Sequence, residues 1–108
     1  MNTASSYIVV FVTAKDRQEA QGIAQALVRE KLIACANVVA GVESLFRWQG
    51  KVDIAQEVLL VLKTKRTLFN QLAARVKALH SYETPEIIAL PIVAGSKDYL
   101  NWIKESTC

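Results

Sequence analysis

The sequence of 108 residues predicts an α+β domain with a four-stranded antiparallel sheet, two helices on one face and a third helix near its C-terminal end. Short apolar runs alternate with amphipathic segments in the order β-α-β-β-α-β-α. The second and third runs face each other across the turn at residues 48–51, which predicts one long β-hairpin. The first six elements follow the split β-α-β, or ferredoxin-like, order.

The first strand and first helix follow directly from local patterns. The continuous apolar run over residues 7–12 indicates a strand that is buried on both faces. Asp16 followed by Glu19 is typical of a helix start, because the two side chains can satisfy the first free backbone N–H groups. Apolar residues then recur at helical spacing to about Lys31, at Ala20, Ile23, Ala24, Leu27 and Val28.

The hairpin is long for so small a chain. Each arm has about 13 residues, so it could extend roughly 43 Å, whereas a compact chain of this size is about 34 Å across. Gly50 supplies the positive φ that a tight turn needs, and Gly41 offers a place for a bend or bulge. An overhanging ribbon leaves strand edges unpaired. We therefore expect the hairpin to serve subunit assembly; a strongly coiled hairpin within a monomer is the alternative.

The second half of the chain repeats the pattern of the first. We expect Thr64 to cap a second helix that ends near His80, followed by a loop over residues 80–86. Its apolar stripe comprises Leu68, Phe69, Leu72, Val76 and Leu79. The fourth strand, residues 87–93, contains Pro91 and should therefore lie at a sheet edge. Ser96 is the expected cap of the last helix.

The totals indicate one domain over residues 7–108 after a loose tail over residues 1–6. Hydrophobic residues make up 52% of the chain, and both the first strand and the return arm are apolar on two sides. Two helices can cover only one sheet face, so we expect equivalent sheets of other subunits to cover the second.

Charge and cysteine usage exclude several classes of protein. The net charge is +3, and the charges of opposite sign are interleaved, which argues against a nucleic-acid partner. Cys35 and Cys108 have no zinc-site spacing, so a reducing, cytoplasmic setting fits. The chain shows neither a signal peptide nor a membrane span. No nucleophile stands at a catalytic motif spacing, so we expect no enzyme.

Several ordered motifs resemble the CutA family of divalent-cation tolerance proteins, over about residues 7–103. The matching stretches are residues 34–38, 44–52, 57, 62–64, 82–86 and 99–102. The resemblance implies a ferredoxin-like fold and a homotrimer in which sheets meet around the three-fold axis and long hairpins lock neighbouring subunits. It also implies an assembly similar to that of the PII-type signalling proteins. The function implied is tolerance to copper and other divalent cations, with copper bound by some members and no cofactor required.

His80 is the candidate metal ligand, because imidazole suits copper and other late divalent metals. The resemblance implies further ligands in copper-binding members, a cysteine where this chain has Val12 and a second histidine where it has Leu79. Glu83 and Glu86 could supply oxygens instead. The alternative is a histidine at a helix end that is satisfied by the helix dipole or by solvent.

A second candidate site is a cleft between subunits that binds a small molecule or cation. The residues assigned to it are Trp48, Lys51, Glu57, Lys63, Tyr82 and Glu86. The loop at Tyr82 could instead be a structural connector, and Trp48 could make trimer contacts. Glu57 lies among apolar residues and needs a partner, either Lys63 or an arginine of another chain.

The alternative function is a PII-like sensor that acts through partner proteins. Lys63, Lys65 and Arg66 precede the second helix, where cations and backbone N–H groups could hold an anion. No glycine-rich phosphate loop accompanies them, so a solvated charged face is the competing interpretation.

Overall fold

The long hairpin dominates the fold. The structure, a computed structural model, describes residues 6–108, so the predicted tail lies outside the described residues except for Ser6. Its elements are β1 (Tyr7–Ala14), α1 (Arg17–Arg29), β2 (Cys35–Trp48), β3 (Lys51–Lys65), α2 (Phe69–Leu79), β4 (Ile87–Pro91) and α3 (Lys97–Glu105). The strands form one antiparallel sheet in the order β2-β3-β1-β4, which confirms the ferredoxin-like prediction.

The turn and the bend of the hairpin lie where the sequence predicts them. Trp48 pairs with Lys51 across a two-residue turn, in which Gln49 and Gly50 have φ of 51° and 79°. Two positive φ values are typical of the type I′ turn, whose twist matches that of the flanking strands. The register shifts between Val39 and Val42, at Gly41, so β2 carries a bulge there. The molecule nevertheless extends 45 Å along its longest axis and 26 Å across it.

The core lies between the sheet and helices α1 and α2. Its fully buried members include Val10, Val12, Leu27, Leu60, Leu62, Leu72 and Val76. One helix prediction is wrong here. Thr64 does not cap α2; it remains in β3, pairs with Ile8, and donates its buried hydroxyl to the Leu32 carbonyl across 2.7 Å. Continued strand pairing and this buried hydrogen bond outweigh a local cap, and a short 3₁₀ turn, Arg66–Leu68, precedes α2 instead.

The opposite face of the sheet, here called the open face, is apolar and is not covered by α1 or α2, while α3 packs only against one end of it, at Tyr7 and Cys35. Alternation along the strands places on it Val9 and Phe11 of β1, Val39 of β2, Leu59 and Val61 of β3, and Ile88 and Leu90 of β4. Val39, Ile88 and Leu90 are 43%, 51% and 50% exposed.

The C-terminal elements are of the predicted types, but β4 is shorter than predicted. Strand β4 is an edge strand and ends at Pro91, two residues earlier than expected, although the Ile92 backbone N–H still donates to the Tyr7 carbonyl at 3.0 Å. Ser96 caps α3 by accepting a hydrogen bond from the Tyr99 backbone N–H. Helix α3 then buries Leu100 and Ile103 in a second, smaller cluster at one end of the sheet.

Candidate functional site

His80 directly follows α2 and is hydrogen-bonded through both ring nitrogens. Nδ1 accepts from the Tyr82 backbone N–H at 3.0 Å, and Nε2 lies 2.7 Å from the Thr13 carbonyl oxygen. Because Nδ1 accepts, Nε2 must carry the proton that is donated to Thr13, and the imidazole is neutral. The side chain has no solvent exposure. His80 thus joins the end of β1 to the loop over residues 80–86.

Glu19 of α1 supports the same loop, a role that the sequence did not reveal. Its carboxylate accepts from the Ser81 backbone N–H at 2.9 Å and from the Lys15 backbone N–H at 3.1 Å. Burial alone would raise the pKa of Glu19, but hydrogen bonds from the Ser81 side chain and from the Lys15 and Ser81 backbone lower it below its ordinary value. The sequence pattern identified Glu19 only as a helix-start residue. Its bond to Ser81 spans 62 positions, and no local signal marks such a pair.

Glu57 and Tyr82 form the buried polar pair of the region. The phenolic O–H of Tyr82 donates to the Glu57 carboxylate across 2.8 Å, and Glu57 is only 9% exposed. Burial, and then the hydrogen bond to Glu57, raise the pKa of Tyr82 to about 12. The Tyr82 ring also packs against His80, with ring centroids 4.8 Å apart. His80, Tyr82 and Glu57 thus make one contiguous network.

Two of the predicted cationic residues, Lys63 and Lys65, already have hydrogen-bond partners. Lys63 donates to the Asn37 side-chain oxygen, and Lys65 donates to the Cys108 backbone oxygen. Lys63 is therefore not the partner that the sequence suggested for Glu57, since Tyr82 has that place. Glu57 and Lys63 lie six positions apart along β3, or roughly 20 Å. Arg66 is exposed in the turn before α2.

Along β3, the hairpin tip lies in the opposite direction from Lys63 as seen from Glu57. Trp48 is 58% exposed and Lys51 is exposed as well. Lys51 is also six residues of β3 from Glu57, roughly 20 Å. The chain by itself therefore brings together Glu57, Tyr82 and His80 but keeps Lys51 and Lys63 apart from them.

The comparisons with known proteins agree with this architecture. The model of the family described as CutA1 divalent ion tolerance protein matches residues 8–106. The divalent-cation tolerance protein CutA of Thermus thermophilus is 50% identical over 99 residues, covering 92% of this chain and 96% of that protein.

The chain belongs to the CutA family of divalent-cation tolerance proteins.

Two further family members are similar over nearly the whole of this chain. The crystal structure of CutA1 from Oryza sativa superimposes with a TM-score of 0.94 at 44% identity, covering 98% of this chain and 97% of that one. The chloroplastic CutA protein of Arabidopsis thaliana is 48% identical over 100 residues, or 93% of this chain. This chain spans 55% of the length of that plant protein.

Family membership makes a metal at His80 the first arrangement to test, and the residues present do not fit one. A metal would have to displace one of the two hydrogen bonds of the imidazole. Within residues 6–108, no group of three or more His, Cys, Asp or Glu side chains is arranged to hold a metal ion. Val12 is fully buried, and Glu83 and Glu86 are exposed. The metal role of His80 and Glu83 stays a prediction.

None of the helices that the structure describes is long and apolar enough to cross a bilayer.

Proposed function

We propose that this protein acts as a homotrimer in divalent-cation tolerance, through a cleft where subunits meet and without a metal centre at His80. The observation that carries the proposal is the apolar open face of the sheet. Exposed apolar area of this kind, continuous across several strands, marks a surface that a protein partner covers. Copies of the same chain suit it, because sheet faces pack well on sheet faces.

The long hairpin supports the same assembly. Its outer half exposes large apolar side chains on both faces, namely Leu45, Phe46, Trp48, Val52 and Ile54. A ribbon that is apolar on two sides gains most by lying between other chains, where both sides leave water. Two-stranded ribbons are marginally stable alone, so contacts with neighbouring subunits would also stabilise the arm itself.

The cleft is proposed beside the Glu57–Tyr82 pair, at the root of the arm. A neighbouring subunit would complete the cleft with side chains that one chain keeps apart from this pair, and Glu86 would lie at its rim. The proposed role is binding, without an enzymatic reaction. A cytoplasmic setting is part of the proposal, because both cysteines are free, as they are in reducing compartments.

Sedimentation equilibrium tests the assembly. We expect three times the 12.0 kDa of one chain, and a mass near one chain would overturn the proposal. Leu90→Lys places a charge on the open face and should reduce the mass to that of the monomer. Val28→Lys is the matched control, since Val28 is 44% exposed on α1, away from the open face.

Growth in elevated copper tests the role in cells. In a strain that lacks its own gene of this family, we expect the wild-type chain and Val28→Lys to restore growth. Leu90→Lys should not restore it, because the cleft requires neighbouring subunits. Equal rescue by a Leu90→Lys variant that is shown to be monomeric would mean that tolerance does not require assembly, which would overturn this part of the proposal.

A further inference from the structure

Glu57 is a buried carboxylate that has no cationic partner among residues 6–108. Its hydrogen-bond partner is a neutral phenol. Within residues 6–108, no nitrogen of Lys, Arg or His lies within 4.0 Å of its oxygens. A buried carboxylate is costly unless it is paired with a positive charge. In the proposed homotrimer, a residue of a second copy can supply this positive charge.

The outer half of the hairpin has two chemically different faces. The face on the side of the helices, here called the aliphatic arm face, extends beyond them and consists of Leu45, Arg47, Val52 and Ile54. Its three apolar side chains are 57–66% exposed. Arg47 stands among them, cross-strand from Val52. An arginine that is buried together with such a face needs an anion.

The other face of the arm continues the open face of the sheet. Alternation along β3 places Lys51 and Asp53 on the same side as Glu57, Leu59 and Val61. Phe46 and Trp48 share this side. Glu57 therefore lies where the arm meets the open face, and Arg47 lies on the opposite side of the ribbon.

A closed ring of three subunits requires contact between two different surfaces. The aliphatic arm face and the open face are two apolar surfaces on opposite sides of one sheet. Arg47 lies on the first and the buried Glu57 on the second, and neither has an oppositely charged partner within the described chain. Given the proposed homotrimer, we propose that Arg47 of each subunit forms an ion pair with Glu57 of the next subunit, completing the Glu57–Tyr82 site.

Lys51 does not fit this role, although it is near the same turn. It lies on the same side of the sheet as Glu57, and a contact between opposite sides directs it away from the Glu57 of the next subunit. Lys51→Gln is therefore the matched control, because it removes one positive charge from the same turn region without removing the proposed pair.

A double-mutant cycle tests the pair by measuring the association constant of the trimer. Sedimentation equilibrium is run in a fixed urea concentration that partly dissociates the wild-type trimer. Urea is used instead of added salt, because salt would screen the charges. We expect Arg47→Gln and Glu57→Gln each to weaken association by about tenfold or more. The double variant should be no weaker than the weaker single variant. Lys51→Gln and Glu57→Gln should act independently.

Crosslinking gives a second measurement, which reports the proximity of two positions and not a free energy of association. In a background with Cys35→Ser and Cys108→Ser, a short bismaleimide should join chains of the Arg47→Cys, Glu57→Cys variant. Lys51→Cys, Glu57→Cys should stay unlinked. Within one chain positions 47 and 57 are separated by about five residue pairs, roughly 17 Å, so an intrachain link cannot mimic the result.

The outcomes distinguish this inference from the proposed function. A trimeric wild type in which Arg47 and Glu57 act independently, or in which Lys51 couples to Glu57 instead, overturns the ion pair and leaves the trimer intact. A monomeric wild type overturns both. Coupling of Arg47 with Glu57, together with their crosslink, supports both.

Discussion

Tyr82 donates its phenolic hydrogen to Glu57 across 2.8 Å, linking the loop after α2 to the root of the hairpin. The same loop is held to β1 by the bond between His80 and the Thr13 carbonyl. Three separate parts of the chain thus meet in one polar network at the edge of the open face. Such a network is stabilising when every member has its partner and costly when one is removed.

Removal of the Tyr82 hydroxyl should therefore destabilise the protein. Tyr82→Phe leaves the Glu57 carboxylate buried without its donor, and we expect a loss of about 1–3 kcal/mol. Urea unfolding at one fixed protein concentration measures it, because association contributes to apparent stability. Tyr99→Phe is the control. Its hydroxyl contacts Cys35 Sγ at 3.4 Å in an exposed setting, so its loss should cost less. Equal losses would contradict the role of the Glu57 contact.

Stability should fall in alkaline solution. The pKa of Tyr82 is raised from 10.0 to about 12 in the folded protein, so the folded state holds this proton more tightly than the unfolded state. The resulting stabilisation is fully present below about pH 10 and is lost as the pH rises towards about 12. Unfolding midpoints measured between pH 9 and 12 should show this decline.

The Tyr82→Phe variant supplies the reference for that decline. Its pH dependence should be shallower than that of the wild type over the same range. Tyr99, whose pKa is also raised to about 12 by its contact with Cys35 and by burial, should account for part of what remains. Identical profiles of the wild type and Tyr82→Phe would be inconsistent with the assignment.

His80→Ala should affect stability and leave copper affinity unchanged. The substitution removes the partners of the Thr13 carbonyl and the Tyr82 N–H, which should cost about 2 kcal/mol or more. A tag-free copper titration against a competing chelator compares the variant with the wild type. Because both ring nitrogens are already bonded, we expect equal affinities. A loss of about tenfold or more would instead make His80 a metal ligand.

Lys31→Gly should stabilise the protein. Helix α1 ends with the Leu32 N–H bonded to the Leu27 carbonyl and the Lys31 N–H bonded to the Val28 carbonyl. This Schellman arrangement holds Lys31 at φ 59°, where a side chain costs about 1–2 kcal/mol. Thermal or urea unfolding should register a gain of about 1 kcal/mol. The control Lys77→Gly, at a helical position of α2, should lose a similar amount.

Much of the fold could be predicted because its signals are local. The two-residue turn at Gly50, the bulge at Gly41 and the cap at Ser96 each depend on neighbouring residues and a backbone preference. Thr64 shows where this reasoning fails. Its sequence context resembles a helix cap, but its hydroxyl bonds to Leu32, a residue that only the folded chain brings near.

The sequence by itself determined the order of the elements, the length of the hairpin and the family, because periodicity, turn residues and motifs are read along the chain. Only the tertiary structure decided what His80 and Glu57 contact. Both ring nitrogens of His80 are used by the backbone, and Glu57 takes a proton donor from Tyr82 rather than from Lys63. The bonds of His80 to Thr13 and of Tyr82 to Glu57 join positions 67 and 25 residues apart, and such pairings depend on how the helices and strands pack.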